Sequence, residues 1–380
     1  MQAFVSGKKR VVANHHGMCF SKGNLDLGGS RLFSEDFRED PLIPGLSDDV
    51  AKLCLALVPR ASFPSMGRVC KKWRFVVQSK EFITVRRLAG MLEEWLYVLT
   101  MSGGGGKESH WEVMDCLGHK LSSLPPMPGP AKTGFKVVVV DGKLLVIAGC
   151  SMINGSHVAS SDVYQFDTCL NSWSRLADLK VARFDFACAE VNGLVYVVGG
   201  HGEDGESLAS AEVYDPEMGT WSFIESLRRP RWGCFASSFN GKLYVMGGRS
   251  NFTIGNSKLV DVYNTQCGSW CGSKNGLTMV TAHVEVGKKL FCIEWKNQRK
   301  MSVFDADKET WEVVALPLSG SSRAGFQFGK LNGKLLLFSS QEESGHGTLL
   351  YDPEAAPGRQ WVTSEIKLSG SCVCSVTITA

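Results

Sequence analysis

Four cations recur at one place in this chain. Lys132, Arg183, Arg231 and Arg323 each stand ten residues before a glycine of a repeating motif, at Gly142, Gly193, Gly241 and Gly333, and Leu277 holds the matching place before Gly287. The arginine fork of planar donors suits carboxylates and backbone carbonyls alike. Two readings therefore stay open for Arg183, Arg231 and Arg323. They form a basic funnel for an acidic ligand, joined by Arg249 and with Arg228 and Arg229 nearby, or they brace the repeats by bonding loop carbonyls. Lys132 reads as a brace.

Other reactive chemistry is sparse. Of eight histidines, His157, His201 and His346 fall in or beside loops and His283 within a strand, and no repeat-equivalent pair builds a ligand set. Thirteen cysteines run from Cys19 to Cys374, an odd count that cannot all pair within the chain. Neither "CGSWC" at Cys267 to Cys271 nor "CVC" at Cys372 to Cys374 has the spacing of a structural zinc site. The expectation is reduced thiols, no catalytic group, no metal and no cofactor. A net charge of +3 does not point to nucleic acid, and the basic run "GKKR" at Gly7 to Arg10 reads as a solvated tail. Nowhere do ~18 apolar residues run together, and no signal peptide is visible. This predicts a soluble protein of the cytoplasm and/or nucleus, with no membrane partner.

The elements that position these residues are read from the repeat. "NGKLYVMGG" at Asn240 has counterparts in "NGLVYVVGG" at Asn192, "DGKLLVIAG" at Asp141, "NGKLLLFSS" at Asn332 and, more weakly, "VGKKLFCIE" at Val286. Asn-Gly before an alternating apolar run marks a two-residue hairpin turn, because that turn needs positive φ. The turn glycines are separated by 51, 48, 46 and 46 residues. A second register runs alongside: Asp167, Asp215, Asn264 and Asp305 each precede a tryptophan by six positions, and Asp352 with Trp361 repeats it with three extra residues. Such a period predicts four-stranded propeller blades. A degenerate first unit, "EEWLYVLT" and "WEVMD", lacks an innermost strand, and "CVCSVTIT" at Cys372 to Thr379 is free to supply it. The prediction is an all-β, six-bladed β-propeller whose C-terminal strand closes blade one and removes the exposed edges. "SGGGG" at Ser102 to Gly106 reads as a surface loop.

Strand parity then separates two faces. The Asn-Gly turns occupy one, the turn face. The longer loops, including "CSMINGSHVASS", "HGEDGESLAS" and "RSNFTIGNSK", occupy a second face together with the recurring cations.

Residues 42–89 have helical texture instead. Ser47 stands where a helix would be capped, Asp48 and Asp49 fall in its first turn, and Pro59 ends it. The enclosed "VAKLCLALV" has one charge, Lys52, and a helix apolar nearly all round needs burial on two sides. About 45 residues are too few to provide that alone, so part of this surface should meet a partner or the propeller.

Gly199-Gly200, Tyr214-Asp215 and Trp221 resemble the kelch repeat, and its marks recur over most of residues 90–380. "FCIEW" and "LFSS" depart from it in the fifth and sixth units. The stretch from Gly45 to Val77 resembles the F-box at Leu46, Val50, Leu55, Val58, Pro59, Val69, Lys71 and Trp73, departing at Ser47 and Cys54. In this order the two look like the plant-type F-box/kelch-repeat family. That resemblance implies a disordered tail over 1–41, a helical F-box domain over 42–89 and a six-bladed kelch propeller over 90–380. It also implies a non-catalytic substrate-recognition subunit of a cullin-based ubiquitin ligase of the SCF type. Leu46, Val50, Leu55, Val58 and Pro59 would dock on a Skp-type adaptor, with Trp73 chiefly in the helical core. The propeller would hold an unidentified protein substrate. In related kelch receptors, arginines at the start of the innermost strand contact acidic motifs, and Arg231 in "PRWGC" matches that place. The alternatives are a kelch scaffold outside ubiquitin chemistry and a metal-dependent kelch enzyme.

Overall fold

The fold was read from a computed structural model, which describes residues 40–102, 109–153, 155–252, 255, 257–277, 280–294, 300–308, 310–317, 326–339, 348–356 and 358–380. The expected tail before residue 40, the tip of the "SGGGG" loop and Arg323 lie outside the described residues.

The front segment folds into four short helices: α1 (Asp48–Ala56), α2 (Phe63–Val69), α3 (Lys71–Val77) and α4 (Lys80–Leu88), with a 3-10 turn at Arg60–Ser62. Asp48 and Asp49 lie in the first turn of α1, where the helix dipole favours negative charge. Ser47 holds the N-cap position in extended conformation, but its hydroxyl makes no capping bond. The side chain of Ser79 does cap α4, accepting from the Phe82 amide at 3.1 Å. Leu42, Ala51, Leu55, Phe63, Met66, Val76, Val77 and Phe82 form a core that also takes in Cys169 and Ala380 from the β region. The helices thus complete their burial on the propeller, as so short a segment must.

Blade one begins with β1 (Glu94–Met101) and β2 (Ser109–Met114). Blade two is β3 (Lys136–Val140), β4 (Lys143–Ile153), β5 (Ser156–Asp167) and β6 (Ser172–Arg175). Blade three is β7 (Ala187–Val191), β8 (Leu194–Val198), β9 (Ala211–Asp215) and β10 (Thr220–Ile224). Blade four is β11 (Trp232–Phe239), β12 (Lys242–Arg249), β13 (Leu259–Asn264) and β14 (Ser269–Asn275). Blade five is β15 (Val280–Val286), β16 (Lys289–Glu294), β17 (Lys300–Asp305) and β18 (Thr310–Ala315). Blade six is β19 (Phe326–Leu331), β20 (Lys334–Ser339), β21 (Leu349–Tyr351) and β22 (Trp361–Thr363). The last strand, β23 (Ser371–Thr379), pairs antiparallel with β1 from Glu94 opposite Thr379 to Met101 opposite Ser371. The innermost strands touch in the order β3, β7, β11, β15, β19, β23 and back to β3, so the ring is closed.

The repeating residues do what their types allow. Asp141, Asn192, Asn240 and Asn332 have φ of 49° to 53° and the glycines after them are also positive, the two-residue turn that Asn-Gly tolerates. Blade five differs: Val286 pairs with Lys289, so the turn is Gly287-Lys288 and Gly287 sits one place earlier than its counterparts. Each fourth-strand tryptophan packs on an aromatic of the third strand, as in Phe166 with Trp173, Tyr214 with Trp221 and Tyr263 with Trp270, all with centroids 5.1 Å apart. The indole N–H reaches back to the preceding segment, Trp221 to the Ala177 carbonyl at 3.0 Å and Trp270 to the Glu225 carbonyl at 2.7 Å.

Candidate functional site

The recurring cations are staples within the ring. Arg183 is fully buried; its Nη1 donates to the carbonyls of Gly199 (2.8 Å) and Ser210 (3.0 Å), and its Nη2 to Glu212 Oε1 (2.7 Å). Its main chain bonds the preceding blade, donating to the Ser160 carbonyl and accepting from the Gly149 amide. Arg231 repeats the pattern one blade on, donating to Gly247 and Leu259 carbonyls at 3.2 Å each and pairing with Asp261. Lys132 pairs with Asp162 and donates to Ser160 Oγ at 3.1 Å. Burial pulls both guanidiniums below their ordinary pKa, and for Arg183 the charge of Glu212 opposes that shift. Burial pushes the Asp162 carboxyl up, but hydrogen bonds from Lys132 and Ser160 outweigh it and hold the group below the usual carboxylate range.

This geometry corrects the funnel reading for Arg183 and Arg231. Both side chains are buried and their Nη groups are engaged within their own blades, so the two arginines are not presented at the surface as a basic mouth. Counted from the observed turn, the matching place in blade five is Thr278 rather than Leu277, and Thr278 lies outside the described residues, as does Arg323. Arg249 is exposed at the end of β12, and Arg228 and Arg229 are exposed on the link into β11. The partner carboxylates Asp162, Glu212 and Asp261 escaped the sequence reading, although each follows its cation by 30, 29 and 30 residues.

At the mouth of the second face the rings of Phe184, His201 and Trp232 stack across blades three and four, with centroids 4.9 Å and 4.4 Å apart. Asn251 locks this stack by accepting from the Trp232 indole at 3.1 Å and donating to the Gly205 carbonyl at 3.0 Å. Among the described residues no group of three or more His, Cys, Asp or Glu is placed to hold a metal ion.

The helical face divides the expected adaptor-binding residues. Leu46, Val50 and Pro59 are exposed and Val58 is half-buried, so they are open to a partner. Leu55 is only 3% exposed and belongs to the core, which corrects its place in the docking set. Trp73 is half-buried and ties down the chain before α1, its indole donating to the Leu42 carbonyl at 2.9 Å. The helix turns out Leu53 and Leu57 instead, 45% and 52% exposed. With Val50 they make one apolar stripe at helical spacing, and Leu46, also exposed, lies just before the helix. The signal was in "VAKLCLALV": an all-round apolar helix buries one side and leaves the other.

This face is held at a set orientation on the turn face of the ring. Arg60 is buried; it donates to the Ile378 carbonyl at 2.6 Å and the Glu93 carbonyl at 3.1 Å, and its guanidinium lies over the Trp95 ring at 4.6 Å. Arg86, also buried, gathers the carbonyls of Ala56 and Val58 at 2.7 Å each and pairs with Glu93 at 3.2 Å. Gln78 donates to Asp167 at 2.7 Å, and Cys169 Sγ to the Val77 carbonyl at 3.3 Å. Burial pushes the Cys169 thiol up to about 11.

Comparison with known proteins agrees with both halves. Residues 43–84 match the F-box domain, and residues 131–180, 182–228 and 230–272 match the kelch motif. F-box/kelch-repeat protein At1g67480 of Arabidopsis thaliana is 87% identical over 381 aligned residues, covering the whole of both chains. This chain belongs to the F-box/kelch-repeat family. A second Arabidopsis thaliana protein named in the same terms, At1g27420, is 40% identical over 351 residues, covering 89% of this chain and 97% of its own. A third, At1g30090, is 33% identical over 222 residues, 57% of this chain and 53% of its own. The F-box match spans α1 to α3 and part of α4, and the kelch matches fall on blades two to four, where the repeat marks are strongest.

Proposed function

We propose that this protein is the substrate-recognition subunit of an SCF-type ubiquitin ligase: its F-box binds a Skp-type adaptor and through it a cullin, and its kelch propeller holds the protein to be ubiquitinated. It contributes binding and no catalysis of its own. The observation that carries this is the exposed stripe Val50, Leu53 and Leu57 on the F-box helix and its C-cap, with exposed Leu46 just ahead of the helix and Pro59 and Val58 just after it, while the other side of that helix is buried in the domain core. The stripe lies on the domain packed at the turn face, which leaves the second face, with its long loops and exposed Arg228, Arg229 and Arg249, open to a substrate. No helix in the described residues is long and apolar enough to cross a membrane.

Co-purification with a Skp-type adaptor tests the reading. Val50→Asp with Leu53→Asp puts charge on exposed positions, so the chain stays folded by circular dichroism. Two apolar anchors at about 2 kcal/mol each predict adaptor affinity lower by a hundredfold or more. Unchanged binding in a folded double variant would sink the proposal. Leu55→Asp is unsuited to the purpose, since it would unfold the core.

A further inference from the structure

The hairpin of blade two outgrows its neighbours. In blades three and four the ladder between the second and third strands stops at Val198 opposite Ala211 and Met246 opposite Val260, where the double glycines turn the chain. In blade two the place of the first glycine is taken by Ala148, held at φ 55°, and after Gly149 the ladder resumes and runs on to Ile153 opposite Ser156. The result is a ribbon, Cys150–Ile153 against Ser156–Ala159, standing out from the second face.

Its hydrogen-bond parity shows which groups are open. The amide and carbonyl of Cys150 both bond Thr133, at 2.8 Å and 2.9 Å, on the side toward the axis. In an antiparallel ladder the sides alternate, so Ser151 and Ile153 bond across to Val158 and Ser156. The amides and carbonyls of His157 and Ala159 then point to the outer edge. The outer strand β6 reaches up only to Tyr164 opposite Arg175; the amides of Leu176 and Leu179 take the carbonyls of Val163 and Ser161, and the cover stops there. Among the described residues nothing pairs with His157 or Ala159 along that edge.

An open edge is usually blunted by lysine, proline or a bulge. Here none of residues 150–161 is charged or proline. Met152, Ile153 and Val158 are 59%, 48% and 42% exposed.

We propose that this ribbon is a strand-addition site, whose edge at His157 and Ala159 takes an extended, uncharged segment of the protein captured by the propeller. The proposal rests on the substrate-receptor reading and names the form in which the substrate binds. The unpaired amides and carbonyls require an occupant with its own backbone extended. A second copy of this chain is disfavoured by size: an edge of about four residues is ~13 Å long and falls well short of the ~1,200 Å² of a stable dimer. A captured segment has no such limit, because it can continue past Leu179 and Lys180 across the second face.

Selection of a displayed library of random sixteen-residue peptides against the full chain tests this. Enriched peptides should share a proline-free run of alternating β-branched or aromatic residues. Their affinity should fall at least tenfold with Ala159→Pro, which removes an edge amide, and with Val158→Lys, which adds charge to the ribbon. Met152→Pro, on the opposite edge, should leave it unchanged. N-methylation along the peptide should block binding at every second residue, a readout that holds even where a proline variant fails to fold. The idea is overturned by enriched peptides indifferent to both edge substitutions, by methylation without a period of two, by no enrichment, or by a dimer that Ala159→Pro dissociates. Failure of the substrate-receptor reading itself would show separately, as no adaptor complex with the unaltered chain.

Discussion

The guanidinium of Arg183 explains why a repeat-wide pattern of cations does not make a binding site. Main-chain bonds tie it to one blade while its fork ties two strands of the next, and Glu212 supplies the charge that makes its burial tolerable. Deleting one member of a buried pair leaves the other uncompensated, a cost of about 3–5 kcal/mol. Glu212→Ala should therefore lower stability by about that amount in urea denaturation, whereas replacing Arg183 and Glu212 together by apolar residues should cost far less. His283, on β15 against the Phe235 ring at 4.9 Å, is held down to about 4 by burial and by the charge of Lys136. The unfolded chain gains this proton near pH 6.5 and the folded chain only near 4, so stability should decline as pH falls through that window and then level off. The decline should shrink in His283→Gln, measured by thermal unfolding from pH 7 to pH 4. The cations were legible as a period. Their partners lie on the third strands about thirty residues further on, brought beside them by strand pairing that no local spacing encodes.

At the level of elements, ring closure by β23 is the step on which the propeller depends. Without it β1 would expose an inner edge, and β3 and β19 would lose their common neighbour. Truncation after Leu368 should abolish cooperative unfolding and drive aggregation, and adding a peptide of residues 371–380 in trans should restore part of the folded signal. A truncated chain that melts like the whole would show that closure is dispensable. This closure was legible in outline, because a vacant strand position and an unclaimed strand pattern stood at opposite ends of the chain. The one-residue shift of the turn at Gly287 was not, since Val-Gly-Lys-Lys admits either pair as turn residues and strand pairing decides between them.

On the scale of the whole molecule, residues 42–380 form one compact unit, and Arg60, Arg86 and Glu93 join the helices to the ring. Arg60 bonds the carbonyl of Ile378 in the closing strand, so the strand that completes the propeller also orients the F-box. Arg60→Ala should split one calorimetric transition into two and raise amide exchange at residues 60–93, while the adaptor, bound through the exposed stripe, remains attached. A single unshifted transition would mean that Arg60 is dispensable and that the remaining contacts, such as Gln78 with Asp167 and the shared apolar core, hold the helices on the ring.

By itself the sequence determined what depends on short spacings: the helical front, the turn chemistry, the six-fold period and the strand left over to close it. These follow from local dihedral preferences and from alternation along a strand, which a linear reading can count. The tertiary structure alone decided which way equivalent residues face. Leu55 and Leu53 are both leucines of one helix, yet one is core and the other surface. Arg231 lies at the mouth of the second face, yet its fork turns inward. Burial and pairing are set by groups dozens to hundreds of residues away, and that information is carried by the closed ring rather than by any local stretch of chain.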